Sequence, residues 1–502
     1  MATAEALEYL HPDYKANAWK WKKYVDCYQS RDIYSYIHQH PREHKSSFDN
    51  RVKRGYYFNY VATIVDLFVS YLFQSGVTRK VEGEELEHLL ATFYDDADLN
   101  GTKYHLFVQN AATFAQITGH VGILVDLPLL PEGGYQTARD EREAGHRPFL
   151  TLIQAEQILD WELDRDGNFV WVKIEITRPQ GRDWRASVDE DTRHFLIWTK
   201  EDWSEWALTS DGEASQVDGN SHPLGEVPLV ILRNERSLAH CWFGESAVHD
   251  IADINLAILN WSSMADEEIF NRCLNILTMQ RDDQSNALEI GQYNVLEYQL
   301  GADPPRYLTP GETPLKLIGE QTDRARDEIY RLAKLGGSTG LLGVREATSG
   351  VAYAFEFNET NQSLCRKAEF LEQAETEVHR LVGKWLTKQF VGTITYPRDF
   401  GVEDFLQELQ FLLDARTTLT SETAVRALEK RIAEKMFAKD QMGLREQIRK
   451  EIDGKRLSPL GIAEWSDEAG TEQGKQPADQ RGSWSGTPDK TSRPQPTGGD
   501  KS

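Results

Sequence analysis

Apolar positions recur with helical spacing over the first 120 residues. Tyr14–Gln29 carries Trp19, Trp21, Tyr24 and Val25 among lysines. Ser47–Phe73 carries Tyr56, Phe58, Tyr60, Ile64, Leu67, Phe68, Tyr71 and Leu72. The second stretch holds more apolar residues than one stripe accommodates, which predicts a long helix buried on several sides. Glu84–Asp95 and Thr102–Gly119 follow as helices, with Asn100 and Gly101 at the turn between them. From Val121 the texture changes. Val121–Asp126, Phe149–Ile153, Phe169–Thr177, Arg193–Thr199 and Trp203–Leu208 are strand-length runs rich in β-branched and aromatic residues. Pro128–His146 between them is punctuated by Gly and Pro and reads as a loop, and Asp164–Gly167 reads as a hairpin turn.

Glu245–Arg272 is the most legible helix. Ala247, Ile251, Ile254, Ile258, Trp261 and Ala265 recur at steps of four and three, a heptad-like seam suited to shallow-angle packing against other helices. At 1.5 Å per residue this segment extends about 40 Å. Its other face carries Asp250, Asp253, Asn260, Asp266 and Glu267. Asn275–Ile318 has short alternating pieces broken by Pro304, Pro305, Pro310 and Pro314 and reads as a small β or α/β excursion. Glu320–Leu335 returns as a helix, Gly336–Gly350 is glycine-rich, and Val351–Phe390 is a long helix. A strand fragment at Thr393–Pro397 precedes two or three helices within Val402–Ile452, one capped by Thr420 or Ser421. From Ser458 the chain is poor in apolar residues and rich in Gly, Pro, Ser, Thr and Gln, the composition of a disordered tail. The fold class expected is α+β, mainly helical.

The 502 residues exceed what one hydrophobic core organises, so several structural units are expected. No apolar run reaches the roughly 18–20 residues that span a bilayer, and Met1–Leu10 lacks the basic start of a signal peptide. These features predict synthesis and assembly in the cytoplasm and no membrane partner. Cys27, Cys241, Cys273 and Cys365 are far apart, which predicts buried free thiols rather than a zinc cluster or disulfide framework. The net charge is −24, with no long Lys/Arg run. A chain of this balance does not grip DNA phosphates over a broad surface; a negative wall would leave passing DNA mobile.

Motifs for chemistry fail on context. Gly336–Gly340 fits the G-x-S-x-G pattern around Ser338, but that elbow needs a strand before it and the pattern there is helical. The stretch also lacks the Gly-Lys-Ser/Thr ending of a phosphate loop. Glu162, Asp164, Asp166 and Gly167 resemble the start of a calcium loop, whose twelfth position here is Lys173 instead of a bidentate Glu. His38, His40 and His44 have no Cys or carboxylate at a recognisable ligand spacing. No catalytic residue, metal site or cofactor is expected, and the chain reads as a non-enzyme.

The order of units resembles the portal proteins of tailed bacteriophages. Local phrases agree with it: Tyr9–Tyr14 with Trp19 and Asp26; Pro41–Glu43, Phe48–Arg51 and Tyr56–Tyr60; Arg147–Phe149 with Ala155, Glu156, Ile158 and Trp161. Further along, Gly225–Val230 with Gly244–Ser246 and Asp253–Asn255, then Ser349–Ala352, Tyr396–Phe400 and Thr420–Thr423, continue the series. The likeness covers about residues 9–455 and rests on the shared order of individually weak phrases.

The resemblance implies a portal fold. Residues 1–120 would be the N-terminal helical part of the wing, 121–242 the β-rich wing, and 243–273 the first stem helix. The clip would be 274–318, the second stem helix 319–335 and the tunnel loop 336–350. A long wing helix and strand would occupy 351–400, the crown 401–457 and a disordered tail 458–502. Such subunits form a ring of twelve around a central channel at a capsid vertex of the virion, through which double-stranded DNA is packaged and ejected. The implied partners are other copies of the chain, terminase, head-completion adaptor and tail proteins, and major capsid and scaffold proteins. The seam residues Ala247, Ile251, Ile254, Ile258, Trp261 and Ala265 would pack neighbouring subunits, with the acidic face near the channel. Lys334, Ser338, Thr339, Arg345 and Glu346 would belong to the tunnel loop or its root. Arg345 either meets DNA or pairs with Glu346 or another acid. The alternatives are another virion structural or adaptor protein, and a serine hydrolase using Ser338.

Overall fold

The computed structural model describes residues 3–128, 146–177, 192–238, 242–273, 276–278, 306–308, 313–335, 350–400, 422–436, 447–448 and 450–452. Two compact units divide at Gly401: Met1–Gly401 and Val402–Ser502. In the second, the principal described element is a helix at Glu422–Met436. All that follows concerns the first, a mixed helix-and-sheet unit.

Helix α1 (Ala4–Glu8) is followed by α2 (Pro12–Gln29), which starts where the fixed φ of Pro12 suits a first turn and the His11 ring accepts from Asp13 N at 3.1 Å. The single helix expected over Ser47–Phe73 is two, α3 (Lys45–Arg54) and α4 (Tyr60–Gln74). Gly55 N–H donates to Arg51 O at 2.9 Å, residues 55–59 run without helical structure, and Asn59 Oδ1 caps α4 through Ala62 N at 2.8 Å. Strand β1 (Thr78–Val81), α5 (Glu84–Asp95) and α6 (Tyr104–Thr118) follow. Gly119 ends α6 at φ +94°, and any side chain on Gly119 or Gly244 would collide with the backbone of the other. That close approach welds the end of α6 to the segment leading into the next long helix.

The β region is larger than its apolar runs suggest. β2 (His120–Asp126) lies between β3 (Phe149–Gln154) and β9 (Leu229–Arg233) in an antiparallel three-stranded sheet. Nearly every β2 side chain is buried, as its unbroken apolar run requires. A second sheet is an antiparallel meander of β4 (Ile158–Leu163), β5 (Phe169–Ile176), β6 (Arg193–Thr199), β7 (Asp202–Leu208) and β8 (Ala214–Ser221). Asp164–Gly167 forms the β4–β5 turn, with Asp164 Oδ1 accepting from Asp166 N and Asn168 N and Gly167 at φ +85°. The residues that resembled a calcium loop thus close a hairpin. Lys173 on β5 is buried and donates to the carbonyls of Ala6, Leu7 and Tyr9 at 2.9, 3.1 and 2.5 Å, satisfying the orphan end of α1 from the sheet.

Helix α7 (His249–Cys273) leads to β10 (Ile276–Thr278), which pairs antiparallel with β11 (Arg306–Leu308); α8 (Thr313–Leu332) then packs against α7. α8 begins before the expected Glu320. Pro314 lies in its first turn, where a missing N–H breaks no intrahelical bond. Helix α9 (Gly350–Trp385) is 36 residues long and touches β9, β2, α4 and β12 (Gly392–Thr395), the antiparallel partner of β1. Buried residues of α2, α4, α6, α7 and α9 share one continuous core with β2, β3 and β9.

Candidate functional site

The helix pair α7/α8 and its root carry the residues that the sequence singled out. In the seam, Ile251 and Ile258 are 2% and 0% exposed, and Ala247, Ile254 and Trp261 pack against the same core. Ala265 is half-buried. These apolar positions are covered largely by the chain itself. The exposed apolar side chains of the pair lie elsewhere: Met264, Ile269 and Phe270 on α7, and Leu317 on α8.

The polar face of α7 is stapled to the N-terminal helices. Lys23 Nζ donates to Asp253 Oδ1 at 2.6 Å. Asn255 is fully buried; its Oδ1 accepts from Tyr57 Oη at 2.9 Å and Tyr60 N at 3.2 Å, while its Nδ2 donates to Phe58 O at 2.8 Å. Asn260 Nδ2 donates to Tyr36 O at 3.0 Å, and its Oδ1 accepts from His38 N at 2.8 Å. Arg51, 2% exposed, forms a two-pronged pair with Glu43 at 2.8 and 2.9 Å and donates to Ser263 Oγ at 2.7 Å. Its hydrogen bond to Glu43 holds that carboxyl below the usual range, against the effect of burial. Arg54 meets Asp266 at 3.4 Å and also Glu267, with its guanidinium 4.2 Å from the Phe270 ring centre. The acidic face is therefore largely paired within the chain. Asp253, Asn260, Asp266 and Glu267 are partners of residues 23–54, while the side chains of Asp253 and of Asp250, beside His249 Nε2 at 3.0 Å, remain exposed.

At the other end of the pair, α8 closes in a Schellman arrangement: Leu335 N donates to Tyr330 O at 2.9 Å, Lys334 N to Arg331 O at 3.0 Å, and Lys334 has φ +58°. Lys334 is exposed, its carbonyl accepts from Thr360 Oγ1 on α9, and Leu335 is buried. The root of the glycine-rich segment is thus fixed between two helices. Ser338, Thr339, Arg345 and Glu346 lie outside the described residues, as do most of 274–318 and the tail from Ser458.

The remaining candidates are structural where they are described. His44 Nδ1 caps α3 through Ser46 N at 3.3 Å, and His40 Nδ1 accepts from Arg42 N at 3.1 Å. Cys27 is fully buried, whereas Cys365 is only partly so and donates to Arg398 O at 3.1 Å. A groove of about 550 Å³ runs between the β4–β5 turn, β9 and α9. Its charged walls are already paired: Arg380 with Glu226 at 2.7 Å and with Glu377, and Lys200 with Asp164 at 3.0 Å. Sequence reading missed Lys23, Arg51, Arg54 and Asn255, because their partners lie roughly 200 residues away and no local spacing announces them.

No protein-family model and no curated protein matches the chain. Among solved structures, a chain from the neck of an empty GTA particle, computed with C6 symmetry, is 13% identical with a TM-score of 0.44, covering 73% of this chain and 89% of that one. A chain from the neck of a native GTA particle, computed with C12 symmetry, is 12% identical with a TM-score of 0.41, covering 73% and 88%. One from the virion of a native gene transfer agent (GTA) particle is 12% identical with a TM-score of 0.43, covering 81% and 98%. At these values, similarity does not assign a function.

Proposed function

We propose that the chain is a portal subunit: copies form a ring, in the virion of a tailed phage or phage-like particle, around a channel for double-stranded DNA. What supports this reading is the topology of residues 249–385. Two mutually packed helices, α7 and α8, are linked through an antiparallel strand pair, and a 36-residue helix follows them into the core. That is the helix, excursion, helix, long-helix order of a portal's stem, clip and wing.

On this reading, α7 and α8 are the stem and the segment between β10 and β11 is the clip, where terminase and later the head-completion and tail proteins dock. The network from Lys23 to Arg54 makes each stem one rigid body with its own wing. Copies then pack through the exposed apolar side chains of the helix pair. The subunit catalyses nothing: its work is to hold a channel and a docking platform. The test is electron microscopy of the purified full chain with two-dimensional class averages. Rings with a central hole and about twelve-fold symmetry are expected on the family resemblance. Compact monomers or dimers at every concentration and salt would shift the assignment toward the hydrolase, with Ser338→Ala as the next variant to make.

A further inference from the structure

Helix α9 carries a lysine in the core. Lys367 is 4% exposed, donates to Asn234 Oδ1, and lies 5.5 Å from the centre of the Phe68 ring. Asn234 passes the connection on: its N–H donates to Gly119 O and its Nδ2 to Glu245 O, both at 2.8 Å. Lys367 therefore holds together α9, the end of β9, the end of α6 and the lead into α7. An ammonium has three donors, and Asn234 is its one hydrogen-bond acceptor among the described residues.

Gln116, near the end of α6, is 2% exposed. Its backbone carbonyl accepts from Ala247 N at 2.9 Å, but neither Nε2 nor Oε1 of its carboxamide has a partner among the described residues. A buried amide without a partner is costly, and native cores rarely leave one so. Gln116 and Lys367 line the same small cavity, about 10 Å³, with Leu72, Ala112, Leu232 and Leu371 among its apolar walls. That volume is close to the lower bound for holding one water molecule.

We propose that one water molecule binds in this cavity, accepting from Lys367 Nζ and donating to Gln116 Oε1, and so completes the polar joint between α6 and α9. The two groups supply what a buried water needs, a charged donor and an unsatisfied acceptor, in a cavity whose other lining is apolar apart from Arg233 and Asn234.

The test is a density map of the full chain at a resolution that shows buried waters. A peak within hydrogen-bond distance of both Lys367 Nζ and the Gln116 carboxamide is expected. No peak, or a Gln116 amide turned onto a protein partner, overturns the proposal. A thermodynamic cycle gives an independent readout. Gln116→Leu should lower the melting temperature by about 2 °C, and that loss should vanish in a Lys367→Met background, where there is no ammonium to bridge. Equal losses in both backgrounds overturn it. Should Lys367→Met fail to fold, the map of the unaltered protein decides alone.

Discussion

Tyr57 Oη donates to Asn255 Oδ1 at 2.9 Å, joining residues 198 positions apart on the buried stretch of α7. The same oxygen accepts from Tyr60 N, and the Asn255 amide donates to Phe58 O. One buried side chain thus fixes the whole turn between α3 and α4 against α7. Asn255→Ala would take this partner from a hydroxyl, an N–H and a carbonyl in a part-buried site. The expected loss is about 3 kcal/mol, read from denaturant unfolding. A loss under about 1 kcal/mol, the range of ordinary surface substitutions and single net hydrogen bonds, would remove this role.

Arg51 and Glu43 test the same root through charge. Arg51→Met leaves Glu43 facing a site built for a guanidinium and strips Ser263 of its donor, so a loss of roughly 3 kcal/mol is expected. Glu43→Gln added to Arg51→Met should recover part of it by removing the unpaired charge. A double variant less stable than the single one would show that the carboxylate is satisfied elsewhere.

The two kinds of apolar residue on α7 and α8 should separate in experiment. Ile258 is fully buried in the chain's own core, so Ile258→Ala should cost about 2–5 kcal/mol of folding stability before any assembly is considered. Ile269 and Leu317 are 51% and 54% exposed in the single chain. Ile269→Asp and Leu317→Asp should leave its melting temperature nearly unchanged while reducing the ring fraction in electron micrographs. Rings formed at the original yield would place the subunit contact elsewhere.

Acid should weaken the fold through His379. Burial lowers its pKa, and the ring sits neutral between Tyr94 Oη at 2.8 Å and Glu375 O at 2.6 Å. Unfolded, it titrates near ~6.5. As pH falls below that value the unfolded chain takes up a proton that the folded chain refuses. Stability therefore declines, levelling only below the folded pKa. His222, also lowered by burial, adds to the same limb. His379→Phe should be less stable at neutral pH, through two lost hydrogen bonds, yet show a shallower decline from pH about 6.5 downward. Unfolding titrations with identical slopes for both proteins would exclude His379 as a source.

Arg345 offers a functional test of the channel reading. Arg345→Glu reverses charge in the glycine-rich segment and should reduce DNA packaging or retention in assembled particles. Normal packaging and retention would leave its pairing with an acid as the better account.

The sequence by itself determined the order of elements and most of their types. The α5 helix and β6 were bounded from pattern alone, and β2 and β5 nearly so, because burial on one face or both writes a period into the chain. β8 was not legible: Ala214–Ser221 is almost wholly exposed on the sheet edge, so no apolar alternation marks it. Nor were the ends of α8 and α9, which close on Lys334 and Thr387 in left-handed conformations where the local signal would be glycine. Tertiary structure alone decided which face of α7 is spoken for. Its charges read as an acidic face until Lys23 and Arg54 are placed beside Asp253, Asp266 and Glu267, with Arg51 on Ser263. A carboxylate's partner is set by distance in space, and one-dimensional spacing carries no record of a contact some 200 residues away.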